Sequence, residues 1–147
     1  MDMLAGLETS FSGLYAQRLR MNVIAANLAN ADTTRTPEGG PYKPQQVVFA
    51  AQPRLSSFAQ LLDQQQIELG MNPVHVVDIV RDPQEVRVEY DPKHPDANAA
   101  GYVAYPDINV MQEMVDLIAA TRSYEANVTA INAAKDMALR ALQIGRV

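Results

Sequence analysis

Cysteine is absent from this chain, histidine occurs only twice, and no apolar run is long enough to span a bilayer. Without cysteine there can be neither a disulfide framework nor a thiolate metal site. The two histidines, His75 and His94, form neither an HExxH motif nor a paired-ligand spacing. Positive charge is also sparse. Seventeen acidic residues face twelve basic ones, the net charge is -5, and no run of Lys or Arg makes a basic stripe. That balance argues against nucleic acid as a partner. The opening residues MDMLAGLETS lack the basic stretch and apolar run of a secretory signal, so a cytoplasmic location is the default expectation.

Proline is missing from both ends. All nine prolines lie between Pro37 and Pro106, and proline in a helix interior removes a hydrogen bond and clashes with the preceding turn. The flanks are therefore free to be long helices and the middle is broken by turns. At 147 residues the chain can form one ordinary domain. The two flanks take nearly half of it, so little is left for a core.

What the flanks do contain is periodicity. Leu4, Leu7, Phe11, Leu14, Met21, Ala25 and Leu28 recur at steps of three, four or seven, and Arg18 alone interrupts them. This is a coiled-coil heptad period, sustained over about 40 Å of helix. Pro37 and the Gly39–Gly40 pair place the helix end after Leu28. Between Met3 and Asn30 only Glu8, Arg18 and Arg20 are charged, while Val23 and Ile24 lie off the main seam. The apolar surface is thus broader than one partner helix covers, and packing on more than one side is expected. An ordinary buried core helix is the plainer alternative.

The last segment repeats the plan. Val110, Met114, Leu117, Tyr124, Val128, Ile131, Ala138 and Leu142 follow the same steps, with Thr121 and Lys135 as polar exceptions. The spacing predicts a helix from Ile108 to Gln143 with Gly145 as its stop. Eight alanines between Ala119 and Ala141 favour helix and let backbones approach closely.

The middle reads as strands at Gln46–Ala50, Val74–Val80, Glu85–Tyr90 and Gly101–Ala104. Clean alternation predicts a half-exposed third strand, and Asp82–Pro83–Gln84 is placed to turn the second strand into the third. Leu55, Phe58, Leu61, Leu62 and Leu69 suggest a short helix near 55–69 or an ordered insertion.

Reactive chemistry is hard to find. His75 alternates with valines and reads as an outward strand residue. His94 sits in Asp91–Pro92–Lys93–His94–Pro95–Asp96, where a metal site of Asp91, His94 and Asp96 competes with a plain rigid turn that accounts for the same residues. Gly39–Gly40–Pro41 lacks the lysine and spacing of a phosphate loop. Glu113 and Asp116 read as a solvated helix face, and Ser10, Ser12 and Ser123 have no neighbouring base in sequence. No enzyme activity, cofactor or small-molecule substrate is expected. Asn22, Asn27, Asn30 and Asp32 cluster toward the end of the first helix. A buried amide in an apolar seam fixes register, because one alignment alone satisfies it; capping is the competing reading and suits Asn30 or Asp32 best.

These residues carry a resemblance. Ser12–Gly13–Leu14 and Arg20–Met21–Asn22–Val23–Ile24–Ala25–Ala26–Asn27–Leu28–Ala29–Asn30–Ala31–Asp32–Thr33 resemble the N-terminal signature of the bacterial flagellar rod and hook axial proteins. Pro41–Tyr42–Lys43, Gln46–Phe49, Asp91–Ala97 leading to Gly101–Tyr102–Val103, Glu113–Asp116 and Ser123–Val128 narrow the match to a proximal-rod subunit. The stretch from Gln52 to Pro73 contributes no motif to the match. The resemblance implies an α+β fold whose N- and C-terminal helices pair as a coiled coil, residues 1–33 and 107–147, around a small β-rich middle, residues 34–106. It implies packing of many copies into a hollow tube that transmits torque. Its implied partners are other copies, other rod subunits, membrane-ring and rod-base components, and, in transit, the flagellar type III export apparatus. It also replaces the cytoplasmic default with export to the periplasm without a cleaved signal. A cytoplasmic coiled-coil adaptor that dimerises is the rival reading, and an acidic hydrolase using Asp91, His94 and Asp96 a remote third.

Overall fold

The computed structural model describes residues 3–51, 72–81 and 86–145. Two helices, α1 (Met3–Ala29) and α2 (Val110–Ile144), flank four strands: β1 (Gln45–Ala51), β2 (Val74–Arg81), β3 (Val86–Tyr90) and β4 (Tyr102–Pro106). The α+β class and the helix–strand–helix order follow the proline distribution. The expected helix near 55–69 lies outside the described residues, as do the Asp82–Gln84 turn and the side chain of Leu4.

The strands form two separate antiparallel pairs, β1 with β2 and β3 with β4. In the first, Gln45 faces Arg81 and Ala51 faces Val74, with a bulge between Val48 and Phe49. In the second, Val86 faces Pro106 and Tyr90 faces Tyr102. A turn from β2 straight into β3 would suggest a hairpin, yet these strands belong to different sheets. The third strand also departs from expectation. All five of its residues are exposed, whereas its partner β4 contributes the buried Val103 and Pro106. Alternation marks a strand as two-faced, but among the described residues nothing covers either face of β3.

Helix α2 starts where Asn109 caps it, its Oδ1 accepting from the backbone N–H groups of Met111 and Gln112 at 3.1 and 3.2 Å. At the other end Gly145 N–H donates to Ala141 O at 3.2 Å, with φ at -77° rather than left-handed. Positive φ is confined, among the described residues, to Gly39, Gly40 and Gly101. At Gly101 a Cβ would also lie 2.8 Å from the Tyr90 ring, so both conformation and space demand glycine there.

Candidate functional site: the helix pair and its Asn27 junction

The helices run antiparallel. Gly13 lies against Asn127, Met21 against Thr121, Arg20 against Asp116 and Asn27 against Glu113, so positions rise along α1 as they fall along α2. The contact is close where residues are small. A Cβ on Gly13 would meet Asn127 Nδ2 at 3.0 Å, and Ala5, Ala16 and Ala120 are buried. On α2 the covered side runs through Glu113, Leu117, Ala120, Tyr124, Asn127, Ile131, Ala134 and Ala138 at steps of three and four, with Asp116 and Val128 beside it. The Arg20–Asp116 ion pair at 3.5 Å has both partners well exposed and contributes little to stability.

Of the residues expected to pack, Leu7, Leu14, Met21, Leu28, Leu117, Tyr124, Val128, Ile131 and Ala138 are half-buried. Phe11 (71% exposed), Ala25, Val110, Met114 (46%) and Leu142 (67%) lie outside the intrachain contact. The most buried large apolar residues of α1 are instead Val23 and Ile24. The reason is that α1 packs on two sides, against α2 and against the β1–β2 pair. Its buried arc is therefore rotated off a seam drawn for one partner. On the sheet side, Ser12 Oγ accepts from Val74 N–H at 3.0 Å while donating to Thr9 O at 2.8 Å.

The centre of the arrangement is Asn27, 2% exposed. Its Nδ2 donates to Gln45 O at 2.9 Å and to Glu113 Oε1 at 3.1 Å. Its Oδ1 accepts from Gln45 N–H at 3.0 Å and from the Tyr42 hydroxyl at 3.2 Å. Both donors and both lone pairs are thus used, and a satisfied buried amide of this kind selects one geometry over its neighbours. The side chain ties α1 to the loop before β1, to β1 itself and to the first turn of α2. Burial raises the Tyr42 hydroxyl pKa, opposed by the charge of Arg81 and reinforced by Glu113.

The other amides differ. Asn22 and Asp32 are exposed. Asn30 closes the end of α1 locally, donating to Ala26 O at 2.8 Å and accepting from the Thr33 hydroxyl at 3.2 Å.

Nothing reactive converges among the described residues. His94 Nδ1 accepts from Asp96 N–H at 3.1 Å, Asp91 Oδ1 accepts from Lys93 N–H at 3.1 Å, and Asp96 is engaged by Thr34. The three are turn residues, and no metal-sized cluster of His, Cys, Asp or Glu exists among the described residues. Two clefts of about 430 and 320 Å³ flank the junction, one between the Thr36–Lys43 loop and Arg81, the other beside Arg20, Glu113 and Asp116. Neither is lined by a nucleophile with a base.

Exposed apolar surface is abundant instead. Met111, Met114, Val115 and Ile118 form a stripe on the outer side of α2, and Phe11 and Tyr15 sit one turn apart on α1.

Comparison with known proteins places these features in a family. Residues 7–35 match the family described as flagella basal body rod protein, and residues 99–144 match the flagellar basal body rod FlgEFG protein C-terminal family. Across 95% of this chain and 96% of the relative, the sequence is 47% identical to the flagellar basal-body rod protein FlgC of Bacillus subtilis (strain 168). The chain belongs to the FlgC family. Its FlgC relatives include that of Borreliella burgdorferi, 40% identical over 98% of both chains. Another, from Salmonella typhimurium, is 35% identical over 99% of this chain and all of the relative. The two family matches cover α2 and all of α1 after its first turn, so Asn27 and Glu113 fall within the matched segments, whereas Tyr42 and Gln45 lie between them. FlgC relatives lend no support to the cytoplasmic adaptor reading.

Proposed function

We infer that this chain is a structural subunit of the flagellar basal-body rod, in its proximal section. Copies pack through their helices into a hollow tube that passes torque from the membrane ring toward the distal rod and hook, and its bore lets later axial proteins through. The observation that carries this reading is the outward apolar surface of both helices, including Phe11, Met111, Met114, Val115 and Leu142. Load transmission needs wide, many-sided contacts rather than one reactive group, and these residues supply them.

In this reading the packing surface comprises the expected positions on both helices, Leu4 to Leu28 and Met114 to Leu142. Asn27 sets register, and Asn22 and Asp32, exposed in the single chain, face neighbouring subunits. The neighbours are other copies, other rod subunits, and ring and rod-base components. The chain reaches the periplasm through the type III export apparatus.

Mass spectrometry of purified hook–basal bodies against the cytoplasmic fraction tests the assignment. Enrichment in basal bodies supports it; absence there, with a soluble cytoplasmic dimer, sinks it. Leu14→Asp and Ile131→Asp should block incorporation by burying an unpaired charge. Met114→Glu separates assembly from folding, because its side chain is exposed in the single chain. It should leave monomer stability within about 0.5 kcal/mol and still abolish motility.

A further inference from the structure

Away from the helix pair, one histidine is held by its acceptor nitrogen. His94 Nδ1 accepts from the backbone N–H of Asp96 at 3.1 Å, and its ring meets Tyr105 edge-on with centroids 6.1 Å apart. The Asp96 side chain is engaged elsewhere. Its Oδ2 accepts from the Thr34 hydroxyl at 2.8 Å, and its Oδ1 lies 3.8 Å from Arg35. Thr34 and Arg35 belong to the segment leaving α1. His94 therefore backs the residue that clasps the Asp91–Ala97 turn to the exit of the first helix.

An imidazole nitrogen accepts a hydrogen bond only while it carries no proton, and the imidazolium has N–H donors on both nitrogens. Protonation would set an N–H of His94 against the N–H of Asp96. The charged and titratable groups on the elements packed here are Asp91, Lys93 and Asp96 in the turn, Arg35 against Asp96, Tyr105 of β4 against the ring itself, and Arg87 of β3, whose guanidinium lies 5.7 Å from the Tyr105 ring centre. Whichever of these charges weighs more, the geometric consequence of protonation is the same. We propose that His94 is a proton-operated catch on this turn: neutral, it orients Asp96 against Thr34 and Arg35, and protonated, it lets go of the Asp96 amide and loosens the clasp.

The test is a pH titration of the ¹⁵N-labelled full chain, kept monomeric, between about pH 8 and pH 5, the range in which histidine changes charge. The His94 imidazole and the amides of Asp96 and Thr34 are followed together, with exposed His75 as internal reference. Both amides should move with the midpoint of His94. Exchange at the Asp96 amide, corrected for its intrinsic pH dependence, should accelerate about fivefold, the equivalent of one typical hydrogen bond. His94→Asn should remove the response and keep the bond, since an amide oxygen accepts from the N–H two residues on, as Asn98 Oδ1 does from Ala100 at 2.9 Å. Titration of His94 with no change at Asp96 would overturn the proposal. So would a response that persists in His94→Asn, or an Asp96 amide that becomes better protected in acid.

Discussion

Asn27 donates a hydrogen bond to Glu113 across 3.1 Å, although the two residues stand 86 positions apart in the chain. That bond joins the last turns of α1 to the first turn of α2. With the bonds to Gln45 and Tyr42 it makes one side chain the meeting point of the fold.

Replacing this amide should be costly. Asn27→Ala leaves the Gln45 backbone groups and the Tyr42 hydroxyl without partners, and a loss of about 2–4 kcal/mol is expected in urea unfolding of the monomer. Asn27→Asp should cost more at neutral pH, because a second carboxylate then faces Glu113. That repulsion raises the carboxylate pKa in the folded state, so the excess penalty should shrink as the pH falls through the carboxylate range. A deficit in the Asn27→Asp variant that stays constant with pH would contradict the assigned contact.

Gly13 offers a second test. Its missing side chain admits Asn127, whose Nδ2 would lie 3.0 Å from an added Cβ. Gly13→Ala gains up to about 1 kcal/mol in helix propensity and loses some of it to this contact, so a near-neutral change is expected. Gly13→Val should cost about 1–3 kcal/mol by overpacking. Combining Gly13→Ala with Asn127→Ala removes the conflict, and a double-mutant cycle should show favourable coupling. Strict additivity would mean that the helices do not meet there.

Gly39 and Gly101 separate backbone strain from crowding. Both have positive φ, +89° and +82°, but an added Cβ at Gly39 meets nothing within 4 Å. Gly39→Ala should therefore cost about 1 kcal/mol from conformation alone. Gly101→Ala should cost distinctly more, because its Cβ would also displace Tyr90 from its edge-on contact with Tyr102, centroids 5.3 Å apart. Equal losses at the two sites would remove the crowding explanation.

Tyr42 ties stability to alkaline pH. Burial, with Glu113 adding to it and Arg81 opposing, raises its pKa in the folded chain above the ordinary tyrosine value. The folded state then keeps a proton that the unfolded state releases. Below about pH 10 both forms are protonated and nothing is lost; above it, stability should fall as pH rises. Tyr42→Phe should flatten that part of the profile, and unfolding curves at several alkaline pH values would show whether it does.

Much of this architecture was legible in the chain. Prolines confined to Pro37–Pro106 bound both helices, and β-branched runs located the strands to within a residue or two. That α1 packs on more than one side was legible in the breadth of its apolar surface; the rotation of its buried arc was not, because periodicity does not say where the second neighbour sits. Val23 and Ile24 stood out as extra apolar residues, and their burial needed the β1–β2 pair to be in place. Asn22 and Asn27 look alike in sequence. Only the tertiary position of Gln45 and Glu113 makes one a buried junction and leaves the other at the surface. The spacing carries the helix start two residues too far, to Ile108, although Asn109 directly before an apolar helical run is a capping signal. The pairing of strands was not legible, since partners are chosen by packing across long separations rather than by local pattern.

An out-and-back helix pair has a consequence for labelling. With α1 and α2 antiparallel, the start of the first and the finish of the second share one end, and the strands depart from the other. A dye or affinity handle placed at either extremity would report on a single neighbourhood, and two dyes, one at each, should transfer energy efficiently within one subunit. A handle carried on the β3–β4 turn would sample the opposite pole.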